Sequence, residues 1–93
     1  MNTANTLPLK NGGNLHIVLE SDDVIVSVQF SGDLSFIPHE AQIHLEQLLR
    51  YHPFDKDLLT YMIEAFLKQD AVQLSGATVD ELVTSILLCH QKQ

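Results

Sequence analysis

Hydrophobic positions change their period once along this chain. In residues 14–20 (NLHIVLE) and 24–30 (VIVSVQF) β-branched side chains cluster, and in the second run Val24, Val26, Val28 and Phe30 alternate with Ile25, Ser27 and Gln29. Successive side chains of a strand point to opposite faces, so the pattern predicts two antiparallel strands joined by a tight turn at Ser21, Asp22 and Asp23. Val24, Val26, Val28 and Phe30 are expected to face the core. After Gly32 the spacing lengthens: Ile37, Ala41, Leu45, Leu48, Leu49 and His52 recur at three- and four-residue steps. This predicts a first helix with Pro38 in its opening turn, ending before Pro53.

Asp55 is placed to cap a second helix with the apolar stripe Leu58, Leu59, Met62, Ile63, Phe66 and Leu67, stopping near residues 68–70. Thr78 and Glu81 have the spacing of a capping box, ahead of Val79, Leu82, Val83, Ile86 and Leu87 in a third helix. Residues 1–13 are polar, include Pro8, Gly12 and Gly13, and show no period, so they are expected to be a flexible lead-in to a single domain at 14–93. The predicted class is α+β: an antiparallel hairpin or three-stranded sheet followed by three helices packed on one face.

The 93 residues suffice for one modest core. Five Lys and Arg against twelve Asp and Glu give a net charge of -7, which argues against a nucleic-acid partner held through phosphates. A lone cysteine, Cys89, cannot form an internal disulfide or supply a zinc ribbon. The opening residues do not resemble a targeting segment, and no apolar run approaches the ~20 residues of a membrane span. A soluble cytoplasmic protein is expected, with no membrane partner.

Candidate chemistry is sparse. His39, Glu40 and His44 form HEAQIH, one residue longer than the H-E-x-x-H zinc motif. At five residues apart the two histidines point about 140° from each other around a helix, too far apart for one ion. His44 and His52 border the apolar stripe and read as packed histidines. Cys89 and His90 diverge as neighbours on a helix. Asp22 and Asp23 suit a hairpin turn, with Asp33 as the third member of any carboxylate cluster. Ser35 and Ser75 have no nucleophile elbow and no adjacent base. No catalytic set assembles from local sequence.

The order GNLHIVLESDDVIVSVQF, then VQFSGDLSFIPHEAQIHLEQLL, then AVQLSGATVDELVTSIL resembles the U-type iron-sulfur cluster scaffolds of the NifU/SufE superfamily. That resemblance puts the family's cysteine ligands at Asn11, Ser35 and Ser75, with Leu74 in place of a histidine and Gly13 or Asn14 in place of an aspartate. Clusters need thiolate or imidazole donors, so these positions are degenerate and no cofactor is expected. The TSCPD domain of some ribonucleotide reductases is similar too, with FSGDLS and SGATVDEL as the matching segments. The resemblance implies a NifU/SufE-like fold and a non-catalytic accessory or protein-interaction module that has lost its cluster ligands. It further implies a protein partner and leaves homo-oligomerisation open. The alternative is a metal-binding protein or small enzyme using the helix-one histidines His39 and His44.

Overall fold

The computed structural model describes residues 2–91. In chain order the elements are β1 (Asn2–Pro8), β2 (Asn14–Ser21), β3 (Ile25–Gly32), β4 (Ser35–Ile37), α1 (Ala41–Leu48), α2 (Lys56–Gln69), β5 (Gln73–Ser75) and α3 (Val79–Gln91). The first three strands form an antiparallel sheet in the order β1-β2-β3, while β4 and β5 form a separate two-stranded ribbon. α3 packs across β1 and β2, and α1 packs against β3, so the three helices share one side of the sheet. The α+β class with a three-stranded antiparallel sheet and three helices is what the periodicity predicts.

The expected flexible lead-in is instead a strand. Thr3, Asn5 and Leu7 lie opposite Leu19, Ile17 and Leu15, whose side chains are buried, while Asn2, Ala4, Thr6 and Pro8 are exposed. A polar run such as NTANTLP carries little strand signal of its own. Its pairing comes from the neighbouring strand and from Leu9, which is buried at the start of the turn into β2. That turn closes through Leu9 N–H to Gly13 O (2.8 Å) and Gly12 N–H to Leu9 O (3.0 Å).

The phase of β3 also differs from expectation, and a bulge is the reason. Glu20 pairs with Ser27 but Ser21 pairs with Ile25, leaving Val26 as the extra residue. The inserted residue reverses the alternation, so Ile25 is fully buried together with Val28 and Phe30, whereas Val24 and Val26 are half-buried. Arg50 Nε donates to the Val26 carbonyl (3.0 Å), meeting an acceptor that faces away from β2.

α1 begins later than predicted: Ile37 belongs to β4, Pro38 lies in the connection, and the helix runs from Ala41 to Leu48. His52 lies beyond the helix, and its carbonyl accepts from Ile25 N–H (3.0 Å). Tyr51 turns the chain there with a left-handed φ of 67°. α2 starts as predicted at Asp55, whose carboxylate accepts from Leu58 N–H at 3.1 Å. α3 carries the predicted capping box, with Glu81 N–H donating to Thr78 Oγ1 (3.2 Å) and Thr78 N–H to Glu81 Oε1 (3.0 Å). Leu45, Leu49, Leu59, Ile63, Leu82 and Ile86 bring the three helices into a common core with β2 and β3. Among the described residues no helix is long and apolar enough to cross a membrane.

Candidate functional site

Three turns interlock at one end of the molecule: the β1–β2 turn, the β3–β4 turn and the β5–α3 turn. Asp33 is the joint. Its N–H donates to Asn14 O and its Oδ2 accepts from Asn14 N–H, both at 2.8 Å. From the first turn, Asn11 Nδ2 donates to Gly76 O (2.8 Å) while Asn11 Oδ1 accepts from Gly13 N–H (3.0 Å). Glycine is required at two of the contacts. Gly76 has φ +89° and its α-carbon abuts the Asp33 carbonyl, and Gly32 has φ +106° and abuts the Asn14 carbonyl, so a Cβ at either would overlap backbone.

This junction gathers the positions expected from the scaffold resemblance. Ser35 and Ser75 face each other across the β4–β5 ribbon, and Asn11 reaches the residue after Ser75. With Gly32, Asp33 and Leu34, the two serines line a shallow cleft of about 340 Å³. Its polar groups are amides, hydroxyls and the Asp33 carboxylate, whose Oδ2 accepts from Asn14 N–H. Neither an activated nucleophile nor a soft ligand is present.

Behind the junction, Glu81 fastens the first turn to α3. Its Oε2 accepts from Lys10 N–H (2.9 Å) and its Oε1 from Thr78, and the side chain is buried. The Lys10 N–H holds the Glu81 carboxyl below its ordinary value, burial opposes this, and the Thr78 donors and the Lys10 charge add to the lowering.

The remaining sequence candidates do not converge. His39 is exposed ahead of α1, and His44 is exposed on α1 rather than packed. His52 Nδ1 lies 2.9 Å from Arg50 O. Cys89 is buried with its Sγ donating to Thr3 O (3.4 Å), and His90 stacks on Phe54 with ring centroids 3.8 Å apart. Asp22 and Asp23 stay in the β2–β3 turn, with Asp22 N–H bonded to Val24 O, and Asp33 lies elsewhere. Among the described residues no group of three His, Cys, Asp or Glu side chains could hold a metal ion.

Sequence reading missed the helical surface. Tyr61 on α2 is 70 % exposed and stands between two hollows. One, of about 430 Å³, lies between α1 and α2 and is lined by Leu48, Met62, Ala65 and Phe66 with His44 and Asp70 at its margin. The other, of about 600 Å³, is edged by Lys56, Glu64, Lys68 and Asp80. The only sequence signal for the first was an apolar stripe on α2 broader than one core contact needs.

No protein-family model matches the sequence, and no curated protein matches it significantly. Among solved structures the chain is similar to one from an archaeal lipoylation system of Thermoplasma acidophilum, described as a bipartite lipoate protein ligase and its E2 lipoyl domain. The likeness has a TM-score of 0.70 at 20 % identity and covers 92 % of this chain and 97 % of that one. At that identity it bears on fold. It overturns the assignment drawn from sequence resemblance: the structural neighbour belongs to protein lipoylation, so the NifU/SufE and TSCPD comparisons do not hold. Neither does the reading of an iron-sulfur cluster assembly scaffold stripped of its ligands. Element order and apolar spacing carried that resemblance, and neither encodes chemistry. The alternative of a metal protein or small enzyme built on His39 and His44 is not supported either: both histidines are exposed, and among the described residues they join no group of three that could hold a metal ion.

Proposed function

We propose that this chain is a non-catalytic protein-interaction domain of a protein-lipoylation system, acting as the accessory part of a two-part ligase. The observation that carries this reading is the end-to-end likeness of its fold to a chain from such a system. It is supported by the exposed Tyr61, Leu48 and Ile43 on the helical side. Large apolar side chains of this kind on a small acidic domain suit a surface that a partner covers.

A second component of such a system is the domain that accepts the lipoyl group, and one observation favours that role. An acceptor must offer an amine, and Lys10 is exposed in the β1–β2 turn. Against it, Lys10 is drawn to Glu81 by its backbone N–H and by its charge. The accessory reading therefore stands first.

Mixing the purified chain with the catalytic part of a lipoate protein ligase from the source cell, lipoate and ATP separates the two roles by intact-mass spectrometry and size-exclusion chromatography. Co-elution with the catalytic part and an unchanged mass support the accessory role. A gain of one lipoyl group, lost in Lys10→Arg, makes the chain the acceptor. Separate elution with unchanged mass contradicts both.

A further inference from the structure

We infer that the outer edge of β1 is a self-association surface on which a second copy of this chain adds antiparallel, with the two-fold axis at Ala4. This inference is independent of the proposed function. The hydrogen-bond phase of the sheet is fixed by Asp33 N–H donating to Asn14 O, which assigns Asn14, His16, Val18 and Glu20 to bonding with β3. By alternation, Leu15, Ile17 and Leu19 bond to Leu7, Asn5 and Thr3. The backbone groups of Asn2, Ala4 and Thr6 consequently point away from the sheet. Thr6 shows this directly, since its N–H is met by the neighbouring Asn5 Oδ1 (2.9 Å) and not by a strand.

The opposite edge of the sheet is closed. Phe30 N–H donates to Glu46 Oε2 (2.9 Å), Gln42 Nε2 donates to Phe30 O, Arg50 Nε donates to Val26 O, and Tyr51 N–H donates to Ile25 O. α1 and its following turn thus occupy the positions that another strand would need. Among the described residues no side chain from another element caps the outward groups of β1, whose seven residues include no charge and no bulge and carry a proline, Pro8, only at the end.

Charge and register select a second copy as the occupant. A chain of net charge -7 repels itself except where a neutral surface faces its own image, and none of the twelve Asp and Glu residues lies on β1. Pro8 has no N–H, so registers that place it opposite a bonding residue lose a hydrogen bond. Pairing Ala4 with Ala4 of the second copy, and Asn2 with Thr6 of the second copy, gives partners to the outward N–H groups of Asn2 and Ala4, exchanges the Asn5 Oδ1 contact of Thr6 N–H for a strand carbonyl, and leaves Pro8 outside. Val18 lies opposite Ala4 within each sheet and is 50 % exposed. The two-fold thus aligns Val18, Ala4, Ala4 and Val18 in one apolar row across a continuous six-stranded sheet.

Sedimentation over a wide concentration range tests this, with Ala4→Lys and Ala4→Cys as probes. The wild-type chain should pass from monomer to dimer as concentration rises. Ala4→Lys, whose side chain is exposed and whose N–H is unused within the sheet, should keep its circular dichroism and weaken dimerisation at least about tenfold, because an edge lysine opposes strand addition. Opposed residues in a bonded pair lie ~5.5 Å apart at Cα, within disulfide range, so Ala4→Cys should oxidise to a covalent dimer far faster than Asp57→Cys on the exposed face of α2. A monomer at every concentration, an undiminished dimer in Ala4→Lys, or equal oxidation rates for the two cysteine variants would overturn the inference.

Discussion

The backbone N–H of Lys10 donates to Glu81 Oε2 at 2.9 Å, joining positions 71 residues apart and locking the β1–β2 turn onto the first turn of α3. The same carboxylate completes the α3 capping box with Thr78. One buried charge therefore satisfies donors from two elements, and it does so most strongly while ionised.

Stability should fall in acid because of this group. The Glu81 carboxyl is lowered in the folded chain, above all by the Lys10 N–H, so its contribution is fully present above the unfolded carboxylate value. That contribution disappears as pH falls from there through the folded value. Thermal melts of wild type and Glu81→Gln across that window should converge as pH drops, with Glu81→Gln the flatter curve. Parallel curves would show that other carboxylates dominate.

The bulge predicts an inverted response at two adjacent positions. Ile25→Asp buries a charge in the core and should cost several kcal/mol, enough to unfold a domain of this size. Val26→Asp, at the half-buried bulge position, should leave the domain folded. Chemical denaturation of the pair decides the matter, and greater damage at Val26 would mean that β3 continues without a bulge.

Two glycines separate backbone strain from steric contact. Gly12 and Gly76 both have positive φ, but a Cβ at Gly12 meets nothing within 4 Å, whereas at Gly76 it meets the Asp33 backbone. Gly12→Ala should cost about 1 kcal/mol from conformation alone. Gly76→Ala should cost measurably more, in the range of about 1–3 kcal/mol or above. Equal midpoint shifts in urea would mean that the junction yields without resistance.

Tyr51 occupies a left-handed position where glycine is the favoured residue, and its side chain is 65 % exposed beneath the Arg50 guanidinium, 5.1 Å from the ring centre. Tyr51→Gly should hold or raise stability by up to about 1 kcal/mol, while Tyr51→Val should lower it, since β-branched residues resist positive φ. A clear loss in the glycine variant would show that the Arg50 contact outweighs the strain.

Local signals in the sequence translated directly into structure. Asp55 and the Thr78–Glu81 pair act within one helical turn, and both caps form at those residues. Features that depend on distant partners were not legible. The strand at Asn2–Pro8 owes its conformation to β2 and α3, so its polar composition read as a lead-in. The bulge at Val26 reversed a phase that alternation alone had set the other way. At the candidate junction, Asn11, Ser35 and Ser75 do lie near one another, yet it is Asp33 and two glycines that assemble the turns, and no residue pattern spans such separations. The surface around Tyr61 was hidden for a different reason: an apolar stripe that packs and an apolar stripe that docks have the same period.

The most direct measurement is the rate at which the catalytic part of the ligase transfers lipoate to an E2 lipoyl domain, with and without one equivalent of this chain. The account predicts a marked rise on addition, reduced by Tyr61→Ala together with Leu48→Ser and unaffected by Lys10→Arg. A rate independent of the chain at every ratio would contradict it.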